Sequence, residues 1–140
     1  LNKVFMLIRR KMISVDTITA CATQQPGISR ITLTLREDND DKALQLIKQM
    51  EKLTEVISAK ELDADQSFWR EVAIVKFEAG SEHLDRLDQS YNFEILDRQN
   101  HEVVVAQVAG TSLMIDNFMA EIGPGKIIEV ARSGFTAMEK

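Results

Sequence analysis

The first twelve residues carry apolar side chains every three or four positions, which predicts a helix with one apolar face. That face consists of Leu1, Val4, Phe5, Ile8 and Met12. From residue 13 the period changes to two and β-branched residues become frequent, which predicts a strand. The strand residues predicted to share one face are Ile13, Val15, Thr17, Thr19 and Cys21.

A turn and a returning strand are predicted next. Residues 24–27, Gln-Gln-Pro-Gly, suit a turn because proline fixes φ and glycine tolerates a positive φ. The following residues alternate between apolar and polar side chains. The two predicted faces are Ile31, Leu33 and Leu35, and Arg30, Thr32 and Thr34. An acidic stretch at 37–41 then opens a second helix, and residues 55–61 are predicted to form a short strand.

The second half of the chain repeats this order, with one more strand at its start. The predicted elements are a strand at 68–79, a helix at 81–89, strands at 91–98 and 102–109, a helix through 115–122 and a strand at 127–132. This half reads βαββαβ, whereas the first half reads αββαβ. The two halves are therefore predicted to be copies of one motif.

The repeated motif predicts an α+β fold made of two ferredoxin-like βαββαβ domains, residues 1–65 and 66–140. The first strand of this topology lies in the middle of the sheet, and the first domain lacks it. Without that strand its neighbours would lose ladder partners, and unpaired buried amides are costly. We therefore expect roughly ten to fifteen residues of strand and loop to precede Leu1.

Composition narrows the classes of function. The formal charge is −5 and aromatic residues make up only 6% of the chain, which argues against nucleic acid as a partner. No apolar run is long enough for a membrane span, so no membrane partner is expected. The single cysteine, Cys21, has no basic neighbour and is expected to be a buried, inert thiol, compatible with a reducing compartment.

Side chains suited to catalysis or metal binding are sparse. His83 and His101 are the only histidines and lie far apart in sequence, without a cysteine pair, so neither a metal site nor a catalytic residue is predicted. The run at 123–126, Gly-Pro-Gly-Lys, superficially resembles a phosphate loop. It follows a predicted helix instead of preceding one, so we interpret it as a helix stop and a turn.

Several stretches match, in order, motifs of one known family. They are Ser29-Arg30-Ile31-Thr32; the run from Gln49 to Val56; Arg70-Glu71 with Val75-Lys76; Gly110-Thr111-Ser112 with Ile115-Asp116 and Phe118; and the run from Ile127 to Val130 with Arg132 and Gly134. Together they resemble the regulatory small subunit of acetohydroxyacid synthase, also called acetolactate synthase. The first half of that subunit is an ACT domain.

The resemblance implies that the chain itself catalyses no reaction. It would activate a large catalytic subunit that holds thiamine diphosphate, FAD and magnesium, and would carry no cofactor of its own. It would also mediate feedback inhibition by valine in branched-chain amino acid biosynthesis. The expected location is cytoplasmic.

The resemblance further implies a homodimer, because ACT domains pair side by side through their outer strands. Here the outer strand would be residues 14–22, with Val15, Ile18 and Ala20 at the dimer interface. Valine or another branched-chain amino acid would bind at the seam between the two copies. The candidate effector-binding residues carried over by position are Leu1, Asn2, Ser14, Val15 and Gln45.

The segment before the outer strand departs from the family pattern. The family has Arg-Gly-aromatic-Asn there, and this chain has Lys11, Met12, Ile13 and Ser14. Two other functions stay open on the sequence alone: a stand-alone ACT-type sensor of another small molecule, and a small enzyme of ferredoxin-like architecture. Copurification with a thiamine-dependent synthase subunit would separate the regulatory subunit from both.

Overall fold

The computed structural model describes residues 1–36, 40–100 and 102–140. Residues 37–39 of the acidic stretch at 37–41 lie outside the described residues, and so does His101. The elements are α1 Asn2–Arg10, β1 Val15–Ala22, β2 Ser29–Leu35, α2 Asp40–Met50, β3 Ser67–Glu78, α3 Ser81–Ser90, β4 Phe93–Gln99, β5 Val103–Gly110, α4 Ser112–Ile122, β6 Ile127–Arg132 and β7 Thr136–Glu139. They form two compact units: residues 1–68 with 137–140, and residues 69–136.

The first unit places α1 and α2 on one face of an antiparallel hairpin formed by β1 and β2. The face predicted for β2 packs there. Of the face predicted for α1 only Val4 and Ile8 are buried, whereas Leu1, Phe5 and Met12 are exposed and Leu7 is buried instead. Burial of these apolar side chains stabilises the unit. The residues buried between helices and hairpin are Val4, Leu7, Ile8, Leu46 and Met50, packed against Ile13, Val15, Ile31, Leu33 and Leu35.

The strand predicted at 55–61 was wrong, because this segment forms no regular structure. In a ferredoxin-like sheet it would pair with a central strand. Among the described residues the sheet of the first unit contains only β1 and β2, so no strand offers the segment a ladder. A β conformation is stabilised by cross-strand pairs, and a segment without a partner does not gain them.

A bulge in β1 overturns the single face predicted for this strand. The register shifts between Val15 and Thr17, so an extra residue reverses the alternation of side chains from there on. The pairs on the side that faces the helices are Val15–Leu35, Ile18–Leu33 and Ala20–Ile31, and those on the other side are Thr17–Thr34, Thr19–Thr32 and Cys21–Arg30. Val15 therefore shares a face with Ile18, not with the threonines.

The end of α1 has the hydrogen bonds of a Schellman motif. Met12 N donates to Arg9 O at 3.0 Å, and Ile13 N donates to Ile8 O at 3.2 Å. Such an ending requires a left-handed residue, and Met12 has φ of +53°. The family that the sequence resembles has glycine at this position, and this chain adopts the left-handed conformation there with a methionine side chain.

Met12→Gly is expected to stabilise the protein by about 0.5 kcal/mol. It removes a left-handed conformation that costs an L-residue roughly 1–2 kcal/mol, and part of the gain is lost to the greater freedom of the unfolded chain. The matched control is Lys11→Gly, because Lys11 has an ordinary φ of −86° and should lose about 1 kcal/mol. Urea unfolding measures both variants, and equal destabilisation by the two would contradict this account.

The second unit has the complete βαββαβ order, which confirms the fold predicted for this half. Its strands follow the order β4-β5-β3-β6 with antiparallel pairing throughout. Helices α3 and α4 cover one face of the sheet, and the core between them is apolar. The fully buried side chains include Phe77, Leu87, Val104, Ile115, Phe118 and Ile122.

Two further features of this part of the chain are the turn after α4 and a short last strand. Helix α4 ends at Gly123, which has φ of +94°, and Lys126 N donates to Gly123 O at 3.0 Å. This confirms the predicted helix stop and turn. The four-residue strand β7 was not predicted; it pairs with β3, whose first residues, Ser67 and Phe68, belong to the first unit.

Candidate functional site: the groove along the free edge of β1

An open groove of about 500 Å³ runs between α1 and β1 in the first unit. Strand β1 pairs only with β2 in the described sheet, so its other edge presents unpaired backbone groups. The groove is mainly apolar. Its lining residues are Phe5, Ile8, Arg9, Ile13, Val15, Asp16, Thr17 and Ile18. An apolar groove beside a free strand edge can accept both an added strand and a small apolar side chain.

Helix α1 and the bulge together shape this groove. The helical spacing places Phe5 and Ile8 on the side toward β1, and the bulge turns Val15 and Ile18 to the same side. Phe5 is 42% exposed and adds a large apolar side chain to this open surface. An apolar surface left open in this way is typical of an interaction site.

Charged residues lie at the rim of the groove. Asp16 stands at the bulge and forms an ion pair with Arg36 at 2.6 Å, and Arg9 lines the groove from the last turn of α1. The Arg36 side chain is 80% exposed, so this pair adds little to stability. The rim of the groove therefore carries the Asp16 carboxylate and the guanidinium groups of Arg9 and Arg36 around an apolar floor.

The predicted effector-binding residues occupy two separate places in one chain. Leu1 and Asn2 lie at the start of α1, whereas Ser14 and Val15 follow its end. Nine helical residues, about 13 Å, separate them. The exposed Gln45 lies on α2. A single chain therefore does not bring these residues together, and a site that contains all of them needs Ser14 and Val15 from a second copy.

Of the predicted interface residues, Val15 and Ile18 line the groove. Ala20 is exposed farther along the same face of β1. Ser14 is exposed, and its carbonyl accepts a hydrogen bond from Arg36 N at 3.0 Å. This bond extends the hairpin ladder by one step and fixes where β1 begins.

Sequence reasoning missed six of the groove residues, which are Phe5, Ile8, Arg9, Ile13, Asp16 and Thr17. The residues of α1 could have been predicted in part, because a helix that leads directly into an edge strand must place its last turns beside that strand. The position of Asp16 could not be found in this way, since it depends on the bulge.

The predicted burial of Cys21 was wrong, because its side chain is exposed. Cys21 lies near the turn of the hairpin, on the side of β1 that faces away from the helices. On the same side Thr17 Oγ1 and Thr34 Oγ1 share a hydrogen bond of 2.6 Å. This side of the hairpin is therefore polar, whereas the groove side is apolar.

The second unit contains a polar network that joins three elements. Glu71 on β3 has a side chain only 2% exposed, and Arg132 on β6 binds both of its carboxylate oxygens. Ser112 Oγ at the start of α4 donates to Glu71 Oε1 at 2.8 Å. Arg132 also binds Asp116 Oδ1 at 2.7 Å. The network fastens the first turn of α4 to the sheet.

The electrostatics of this network favour the charged forms. The Arg132 guanidinium, with help from the Ser112 hydroxyl, lowers the pKa of Glu71 below its ordinary value of 4.5, although burial opposes this shift. Hydrogen bonds from Arg132 to Glu71 and Asp116 raise the pKa of Arg132. Both groups therefore carry full charge at neutral pH and hold the helix by a charge-assisted bond.

Within residues 1–36, 40–100 and 102–140, no three His, Cys, Asp or Glu side chains are grouped to hold a metal ion. The helices formed by these same residues are all too short or too polar to cross a bilayer. What the described residues do offer is an apolar groove, a free strand edge and charges at the rim.

Profiles of two families match the chain. "AHAS small subunit-like ACT domain" matches residues 1–58, and "Small subunit of acetolactate synthase" matches residues 70–140. Together they account for both units.

Full-length relatives agree with these profiles. The acetolactate synthase isozyme 3 small subunit of Escherichia coli is 32% identical over 145 residues, covering 100% of this chain and 87% of the relative. A probable acetolactate synthase small subunit of Methanothermobacter thermautotrophicus is also 32% identical, with coverage of 100% and 84%. The small subunit of Bacillus subtilis is 26% identical, with coverage of 100% and 83%.

A solved structure has the same fold over nearly the whole chain. It is the acetolactate synthase small subunit of Thermotoga maritima, with a TM-score of 0.89 at 25% identity, covering 99% of this chain and 88% of that one. An ACT-type domain followed by a second ferredoxin-like domain is the architecture of a small regulatory subunit. The chain belongs to the acetolactate synthase small-subunit family. The resemblance found in the sequence is thereby confirmed.

Proposed function

We propose that the chain activates a catalytic large subunit of acetolactate synthase and makes its activity sensitive to valine or another branched-chain amino acid. Family membership supports the partnership with a large subunit. Thiamine diphosphate, FAD and magnesium would belong to that partner, and this chain would hold no cofactor. The observation that carries the regulatory part is the apolar groove along the free edge of β1.

The proposed regulatory site lies where two copies join through their β1 edges. Pairing of two such edges would satisfy their unpaired backbone groups and cover the exposed Phe5. It would also bring Ser14 and Val15 of one copy near the start of α1 of the other. Leu1, the N-cap of α1, has no side chain that accepts from the first amides of the helix, and such amides bind carboxylates.

The chemistry of the groove suits a branched-chain amino acid. A branched aliphatic side chain buries apolar surface against Ile8, Val15 and Ile18, at roughly 25 cal/mol per Å². The effector's carboxylate would meet the first amides of α1 in the other copy, since those of the same chain lie about 13 Å away. Its ammonium group would find a counter-charge in Asp16 at the rim.

Reconstitution with a catalytic large subunit of acetolactate synthase tests this proposal. The rate of acetolactate formation should rise when the chain is added, and valine should reverse that rise. The large subunit alone should respond to neither addition. Activation without any response to valine, leucine or isoleucine would refute the regulatory part. A chain that neither activates nor copurifies with the large subunit would be a stand-alone sensor instead.

A further inference from the structure

The last residues of the chain return to the first unit and are held there. Residues 137–140, which we call the C-terminal strap, follow the second unit in sequence but pack with residues 1–68. Ala137 is only 4% exposed. The chain therefore crosses between its two units twice, between residues 68 and 69 and between residues 136 and 137.

Several polar contacts hold the strap within the first unit. Arg30 Nη2 on β2 donates to the Ala137 carbonyl at 2.7 Å. Lys140 N donates to Gln66 O at 2.9 Å, and Lys140 Nζ donates to Asp65 O at 2.6 Å. Lys60 and Glu139 form an ion pair. Together they fix both ends of the four-residue segment.

Arg30 is the contact that involves the hairpin. In the described residues its guanidinium binds a backbone carbonyl of the strap and no carboxylate. Arg30 pairs in register with Cys21, so it belongs to the same rigid ladder as the groove strand β1. A displacement of β1 by an effector or a partner therefore moves Arg30 and pulls on the Ala137 carbonyl.

The chain just before the strap is held equally firmly within the second unit. The Phe135 ring packs edge-on against Trp69, with centroids 6.2 Å apart. Ser133 exchanges two hydrogen bonds with Val72, at 2.9 and 3.0 Å. Arg132 is bound to the buried Glu71. The segment 132–135 is thus a fixed part of the second unit.

Only Thr136 lies between the last anchor in the second unit, Phe135, and the first anchor in the first unit, Ala137. One residue spans at most about 3.6 Å, so the connection has almost no slack. The other crossing, between residues 68 and 69, lies within β3, so the chain offers two short connections along which a movement of the hairpin can pass.

We propose that the C-terminal strap, gripped by Arg30, is the device that transmits effector binding at the groove to the second unit. This inference rests on the proposed function, since it supplies the path by which that site acts. It gives Arg30 the role of a positioning residue, which acts through the strap and touches neither the effector nor the reacting atoms.

Two variants test the strap in the reconstituted holoenzyme. Arg30→Met keeps the aliphatic stem but removes the donor. Insertion of Gly-Ser-Gly between Thr136 and Ala137 keeps the side-chain anchors on both sides but adds slack and interrupts the pairing of β7 with β3. Each should lower the maximal inhibition by saturating valine to a small fraction of that of the wild type, because the coupling between the two sites is lost. Activation without valine should not change, and calorimetry should still detect valine binding, because the groove is intact. Arg30→Lys should retain most of the response.

Matched controls are Arg86→Met, on the exposed side of α3, and the same insertion between the exposed Ile57 and Ser58; both should respond to valine like the wild type. Wild-type inhibition by valine in both test variants would overturn the strap and leave the proposed function standing. A wild-type protein that valine does not inhibit would overturn the proposed function, and the strap with it. If Arg30→Met does not fold, the insertion decides alone.

Discussion

Replacing Ile18 by aspartate is expected to produce a monomer that no longer binds valine measurably. Ile18 lines the groove on the helix-facing side of β1, beside the free edge through which two copies are proposed to pair. Each dimer would bury two carboxylates in an apolar seam, and each unpaired buried charge costs several kcal/mol. Even 4 kcal/mol in total raises the dimer dissociation constant about a thousandfold.

Sedimentation velocity at micromolar concentration distinguishes the two states, and Ile57→Asp is the matched control. Ile57 is 77% exposed in the irregular segment of the first unit, so the same added charge should leave the dimer intact there. Val15→Asp should behave like Ile18→Asp, because the bulge places both side chains on one face. A dimer that survives both substitutions on β1 would place the seam elsewhere.

Replacing Glu71 by glutamine is expected to destabilise the second unit by about 2 kcal/mol. Breaking a fully buried ion pair costs roughly 3–5 kcal/mol, and Arg132, whose side chain is 31% exposed, recovers part of that loss from water. The substitution also leaves Ser112 and the first turn of α4 without their charged acceptor. Denaturant unfolding measures the loss, with the exposed Glu78→Gln on the same strand as control.

The pH dependence of this difference has a definite sign. Arg132 holds the pKa of Glu71 below 4.5 in the folded protein, so the ionised side chain stabilises the fold at every pH above that value. The stabilisation is lost as the pH falls through the lowered pKa. The gap between wild type and Glu71→Gln should be constant from pH 7 to about 5 and close below pH 4.5. A gap that widens on acidification would contradict the ion pair.

Most helices and strands followed from periodicity, because their apolar faces repeat cleanly. The bulge at Val15 did not, since one inserted residue leaves the sequence equally alternating and only reverses which side chains face the core. The segment 55–61 has the composition of a strand, but the described residues offer it no ladder. The local pattern of apolar residues therefore predicted most helices and strands. It failed at the bulge and at 55–61, where the pairing of strands determines the structure.

The contacts of Glu71 with Arg132 and of Arg30 with the strap could not be predicted from the sequence for a related reason. Glu71 and Arg132 stand 61 positions apart, and they meet because the register of β3 with β6 sets Ala73 opposite Arg132. Arg30 and Ala137 meet only through the return of the strap. The motif residues Arg30, Glu71 and Arg132 could be recognised as a family pattern, but their contacts could not be derived from it.

A crystal structure of the chain grown with valine tests the central claim most directly. The account predicts two copies joined by an antiparallel ladder between their β1 strands, with valine against Ile8 and Val15 at the seam. It would be contradicted by a solitary chain whose β1 edge faces solvent, or by valine bound away from that groove.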